Sequence, residues 1–187
     1  MLVKPTGPKN AKIVIIGEAP GPEEIRTGIP FTGTSGELLN QCLISSGLVR
    51  EELYLTNVVK VRPPDNKLDR LGELGHTIEE FYPLLYKELR EVKPNVIIAL
   101  GATPLLALTG QTSITKYRGS VMEWEGIKVI PAIHPAACLR QWQWVYLLQF
   151  DLKRARKESE FPEIRRDERV YTINPSFEEI ISEIERM

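Results

Sequence analysis

Thiols and imidazoles are scarce in this chain: two cysteines and two histidines among 187 residues. Cys42 and Cys138 lie far apart and neither has a CxxC partner, so a zinc or iron–sulfur centre has too few thiolates. The pair is expected to be ordinary buried or partly exposed thiols. No run approaches the roughly 20 apolar residues of a membrane span, and the amino-terminal stretch lacks the apolar core of a signal peptide. The chain is therefore expected to be cytoplasmic, with no membrane partner. Charge is nearly balanced, 24 Lys and Arg against 25 Asp and Glu, for a formal net of −1. That excludes a non-specific polycation but not a local basic groove. There is no phosphate-binding lysine motif of the P-loop kind, which argues against a nucleotide hydrolase. Internal repeats and low-complexity tracts are also absent.

What the chain does have is an alternation of short apolar runs and helical patterns, the mark of a mostly parallel sheet with helices on both faces. Residues 12–17, 53–59 and 95–100 read as buried strands. Residues 121–124 and 128–133 flank a hairpin-like turn at Glu125-Gly126. Thr34-x-x-Glu37 reads as a capping box, with Leu38, Leu39, Cys42 and Leu43 on one helical face. Thr77-x-x-Glu80 opens another helix, with Ile78, Phe81, Leu85, Leu89 and Val92 in register and Pro83 confined to its first turn. Gly101-Ala-Thr-Pro opens a third, and residues 142–157 a last one. Residues 61–75 read as a long loop. The expected class is α/β, a three-layer αβα arrangement around a four-stranded, mostly parallel sheet. Residues 1–157 form one domain, and 158–187 a charged linker followed by a strand (170–173) and a helix capped by Ser176-x-x-Glu179.

Sheets of this kind take ligands at the carboxyl ends of their strands. Two strand-end turns stand out there: Gly17-Glu-Ala-Pro-Gly after the first strand, and His134-Pro135 after the last. One brings a carboxylate, Glu18; the other an imidazole. Between them the chain reads Gly28-Ile-Pro-Phe-Thr-Gly-Thr-Ser-Gly-Glu-Leu-Leu, Thr56-Asn-Val-Val-Lys-Val-Arg-Pro-Pro, Leu100-Gly-Ala-Thr and Tyr117-Arg-Gly. This ordered set resembles the uracil-DNA glycosylase superfamily, and is most similar to its thermostable iron–sulfur branch. The resemblance spans about three quarters of the chain.

The resemblance implies roles at matching positions. Glu18 would orient or activate the attacking water, and His134 would donate to a uracil oxygen. Phe31 would stack on the flipped base and Asn57 would read the pyrimidine edge. Ala19, Gly21 and Glu24 would shape the base pocket. Uracil-containing DNA is the implied substrate and uracil the product, with no metal or organic cofactor, in a chain acting as a monomer. The chemistry agrees. Uracil offers a carbonyl at O4 and a proton at N3, which a fixed amide can pair; cytosine reverses both, and unpaired buried groups discriminate strongly. DNA would be held at the helix starts Ser35, Gly36, Gly101, Ala102 and Thr103, which present free N–H groups. Arg62, Arg118 and Arg140 would add charge, and Leu139 would fill the hole left by the flipped nucleotide.

Three departures from the family pattern are visible. Val61 stands where the iron–sulfur branch has a ligand cysteine and the other ligands are missing, Ala136 replaces the serine of His-Pro-Ser, and Ile25 follows the paired glutamates in place of an acid. They keep two alternatives in view: a DNA-binding replication accessory with a degenerate pocket, and a covalent uracil-DNA binder through His76. The tail is the natural place for a replication or repair protein to dock.

Overall fold

A computed structural model describes residues 2–165 and 176–185. Its first strand, β1 (Ile13–Gly17), is buried along its whole length, as a strand covered on both faces requires. It pairs in parallel with β2 (Tyr54–Asn57) on one side and β3 (Val96–Leu100) on the other. β3 pairs in parallel with β5 (Ile127–Ala132), and β4 (Met122–Trp124) closes the edge antiparallel to β5. The order is β2-β1-β3-β5-β4. The four parallel strands expected from sequence are thus joined by a fifth, the outer arm of the hairpin at Glu125-Gly126.

Alternate strand residues feed two cores, because side chains point to opposite faces of a sheet. Ile13 and Ile15 of β1, with Ile98 and Leu100 of β3, meet α2 (Thr34–Ser45), α6 (Pro135–Arg140) and α7 (Trp144–Glu158). Val14 and Ile16, with Ile97 and Ala99, meet α3 (Tyr82–Val92) and α4 (Ala102–Thr109). The layers are therefore α, β, α. Leu38, Leu39, Cys42 and Leu43 are buried as their spacing predicts, and so are Leu85, Leu89 and Val92.

The helix starts differ from expectation. Gly33, not Thr34, caps α2, and no side-chain cap bond forms there. α3 begins at Tyr82 after a 3-10 turn over Glu79–Phe81, with Pro83 in its first turn. Residues 61–75 are not an open loop: they wind through 3-10 turns at Pro64–Asn66 and Leu68–Leu74, and Leu71 is buried. Three short helices escaped the periodicity reading: α1 (Pro22–Thr27), α5 (Ile114–Tyr117) and α6. At the other end of the sheet, Lys128 is wholly buried and donates to the carbonyls of Glu158 and Phe161, both at 2.6 Å. That docks the start of the charged segment onto β5. The strand expected at 170–173 lies outside the described residues, and α8 (Phe177–Glu185) follows directly after Ser176. Among the described residues no helix is long and apolar enough to cross a membrane.

Candidate active site

The carboxyl ends of β1, β2, β3 and β5 share one edge of the sheet, and a cavity of about 660 Å³ opens outside them. Ligand pockets fall in the range of roughly 300–1,000 Å³. Glu18, Phe31, Asn57 and His134 all line it, the first two from the segment after β1, Asn57 from the end of β2 and His134 from the turn after β5. Ala19, Gly21, Glu24, Ser35, Gly101, Ala102 and Arg140 line it too.

Gly17 is paired with Asn57 across β1 and β2. A Cβ at 17 would stand 2.3 Å from Asn57 Oδ1 and 2.7 Å from the Phe31 ring. Only glycine lets that amide and that ring converge over the strand end. Asn57 is 6% exposed, and its amide makes no hydrogen bond among the described residues. It is a buried amide facing the cavity, with donor and acceptor both unspent.

Phe31 sits in the left-handed region at φ 57°, which costs a non-glycine residue on the order of 1–3 kcal/mol. The surroundings impose it. Glu24, itself buried, accepts the Gly21 N–H on Oε2 and the Thr32 and Gly33 N–H groups on Oε1, each at 3.0 Å. Arg50 donates to the Pro30 carbonyl at 2.7 Å and to Asn40 at 2.6 Å. A Cβ at Gly36 would lie 2.0 Å from the Phe31 carbonyl oxygen, so α2 can approach the loop only through a glycine. The Phe31 ring centroid stands 6.4 Å from that of His134, tilted by 33°, leaving a slot one wall of which is aromatic.

His134 caps α6: its Nδ1 accepts the Ala136 N–H at 3.1 Å. An accepting Nδ1 carries no proton, so in the neutral ring the proton is on Nε2. Burial above all, and then the positive charge of Arg140, push its pKa down to about 4, against an opposing pull from Glu24. At neutral pH the site holds a neutral imidazole with one N–H. Glu18 Oε2 accepts the Thr103 hydroxyl at 2.6 Å, which fixes the carboxylate at the mouth of α4.

Among the expected DNA contacts, one cation is engaged elsewhere. Arg118 is not a free rim cation: its guanidinium donates to both oxygens of buried Asp151, at 2.6 and 3.0 Å, and to the Leu147 carbonyl. The Thr103 hydroxyl is committed to Glu18. Arg62 is exposed beside the cavity, with its Nε on Asn66, and Leu139 is 44% exposed next to Arg140. His76 is not among the cavity residues; it lies 3.2 Å from Glu80 and against the Phe81 ring. Two features were invisible in the sequence: the bonds by which Glu24, expected as pocket wall, clamps the loop from within, and a buried trio behind Asn57. In the trio, Lys60 Nζ donates to Thr56 at 2.6 Å and to Glu88 at 2.7 Å.

An iron–sulfur cluster of the kind the resembling branch carries does not fit. Cys42 and Cys138 are both buried in the apolar core beneath α2 and α6. Val61, at the ligand position, packs against the opposite core. Among the described residues no group of three or more metal-ligating side chains is assembled.

A three-layer sheet with a base-sized slot at its strand ends, built from an amide, an imidazole, a carboxylate and an aromatic ring, defines a class of pocket for a flat polar heterocycle. The model of the uracil DNA glycosylase superfamily matches residues 4–161, and the chain belongs to that family. It is 42% identical to a type-4 uracil-DNA glycosylase of Thermotoga maritima, over 72% of this chain and 69% of the relative. Identity to the type-4 enzyme of Archaeoglobus fulgidus is 37%, over 79% of this chain and 77% of the relative. A DNA polymerase of Bacillus phage SP01 is 34% identical over 98% of this chain, which corresponds to 20% of the polymerase.

Proposed function

We propose that this protein is a monofunctional uracil-DNA glycosylase. The convergence of Asn57, His134, Phe31 and Glu18 on one cavity is the observation that carries the reading. A base in a duplex must leave the stack to be reached, at a cost of a few kcal/mol. In the slot, Asn57 donates to O4 and accepts from N3, while Phe31 covers the ring. The bond between C1′ and N1 breaks and its electron pair passes to the uracil, leaving an oxocarbenium-like sugar. The neutral His134 Nε2–H donates to the anion at O2, where the charge develops, the condition under which such a donor helps most. Water adds at C1′, with Glu18 orienting it beside the positive sugar; the proton it gives up passes to solvent, and the uracil anion takes one up from solvent at N1. The products are free uracil and an abasic site.

The test is a uracil-containing oligonucleotide, incubated and then treated with alkali. Strand breakage is expected, and its absence under conditions where the protein binds DNA would refute the activity. Asn57→Ala and His134→Ala should each lower the rate by about 10²–10³ or more, the usual loss for a transition-state donor.

The segment after the glycosylase domain has a separate reading as a link to the replication machinery. The two glycosylase relatives cover 72% and 79% of the chain, whereas the match to the phage polymerase covers 98% and so takes in the tail.

A further inference from the structure

Residues 135–157, which form α6, its exit loop and most of α7, hold five cations (Arg140, Lys153, Arg154, Arg156, Lys157) and one acid. That acid, Asp151, is fully buried and paired with Arg118. In a chain whose net charge is −1, this is a marked segregation of positive charge. The same stretch carries aromatics where none are needed for packing. Trp142 is 59% exposed, Tyr146 72% and Phe150 63%.

Helical geometry puts these groups together. Phe150, Lys153, Arg154 and Lys157 follow Tyr146 at the offsets that share one face of an α-helix. The opposite face, through Val145, Leu148, Leu152 and Ala155, is the one buried on the sheet. No hydrogen bond or ion pair among the described residues uses the side chains of Tyr146, Lys153 or Lys157. α7 starts at the cavity: Trp144, its first residue, lines it together with Arg140 of α6. From Tyr146 to Lys157 the face runs about 16 Å along the helix axis.

We infer that the outer face of α7 is a track for single-stranded DNA, continuing from the base cavity and gripping the strand that flanks the extruded nucleotide. Tyr146 and Phe150 supply stacking platforms at one end of the face, and Lys153, Arg154 and Lys157 neutralise the phosphates that run on from them. Stacking surfaces combined with cations along one groove are what sequence-tolerant binding of a single strand requires. An apolar protein partner would leave these cations unpaired, which makes nucleic acid the better-fitting occupant. The inference rests on the DNA reading of the cavity, but it concerns binding and not base release.

The test uses the full chain and uracil-free single strands, so that the track is read without the pocket chemistry. Fluorescence anisotropy compares a strand of about 6 nucleotides with one of about 20, against footprints of roughly 4–16 nucleotides per binding module. The longer strand should bind more tightly. The double variant Tyr146→Ala/Phe150→Ala should erase most of that gain, a loss of about tenfold or more. Tyr146→Phe/Phe150→Tyr should retain it. Lys153→Glu/Lys157→Glu should lower the slope of log affinity on log salt by about 1.4. A wild type with no length dependence, or aromatic variants that keep it, would overturn the track. So would a loss confined to self-association or to anionic vesicles, since the face would then serve protein or membrane. Failure of base release with the length dependence intact would instead count against the glycosylase reading alone.

Discussion

The two loops that flank the cavity are secured by opposite means. The one after β1, residues 18–33, is held by hydrogen bonds to charge. Glu24 gathers three backbone N–H groups, Arg50 takes the Pro30 carbonyl, and together they keep Phe31 in a conformation it would otherwise avoid. The segment after β2, residues 58–81, is held by burial. Val58, Val59, Leu71 and Phe81 are in the core, and Val61, Leu68 and Ile78 pack against it. Its side-chain pairs at Arg62, Arg70 and His76 are exposed, and its one buried polar group, Lys60, is sealed from solvent with Glu88 and Thr56. A loop that must aim an aromatic ring needs directional bonds, because burial alone does not choose an angle. A segment that only has to back a strand end can be fixed by apolar contact. Iron–sulfur ligands would serve that second task as well, and this chain meets it without them.

The largest effect should come from breaking the buried pair. Lys60→Met leaves Glu88 without its partner, and uncompensated buried charges cost about 3–5 kcal/mol. Burial already pushes the Lys60 pKa down, with Glu88 opposing the shift. Urea denaturation should show this loss, and Lys60→Met/Glu88→Leu should recover most of it. If the single variant loses less than about 1 kcal/mol, the apolar packing alone holds this segment. The comparison would then be sharper still.

Next is the hydrogen-bonded loop. Glu24→Gln keeps an oxygen for two of the three N–H groups and turns an NH2 towards the third. One lost bond to a charged acceptor is worth about 1.5–3 kcal/mol, and its weight should fall on the geometry of Phe31. Base release should slow by roughly 10–100-fold, with KM changed less than kcat. A fall in thermal stability at unchanged rate would mean that the clamp supports the fold and not the ring.

The difference between the loops also explains what was legible in the sequence. Strands and long helices declared themselves through periodicity: Ile13–Gly17 by continuous burial, Leu85, Leu89 and Val92 by helical spacing. The four cavity residues could be named because the motifs carrying them are local and ordered along the chain. The supports could not. The resemblance places Glu24 in the pocket wall, but the N–H groups it gathers belong to residues 21, 32 and 33, which only the fold brings around one carboxylate. Arg118 read as a rim cation because Asp151, its partner, lies 33 residues away. α1, α5 and α6 span six, four and six residues, too few turns for an apolar period to show.

The smallest effect is graded and belongs to His134, which faces Phe31 across the slot. Its pKa in the folded protein is about 4, below the ordinary value near 6.5. The unfolded chain therefore takes up the proton first as pH falls. The stability tied to the neutral ring is complete above about pH 6.5, declines as pH drops towards 4, and changes no further below that. At pH 5.5 the loss is about 1 kcal/mol. His134→Asn is the matching control, because an asparagine can still accept the Ala136 N–H as the helix cap but has no proton to gain. The difference in unfolding free energy between wild type and this variant, measured at pH 7.5 and 5.5, should shrink at the lower pH. If it is constant, the ring is solvated enough to charge in place. The neutral Nε2–H donor on which base release depends would then have to be maintained by the bound uracil and not by the fold.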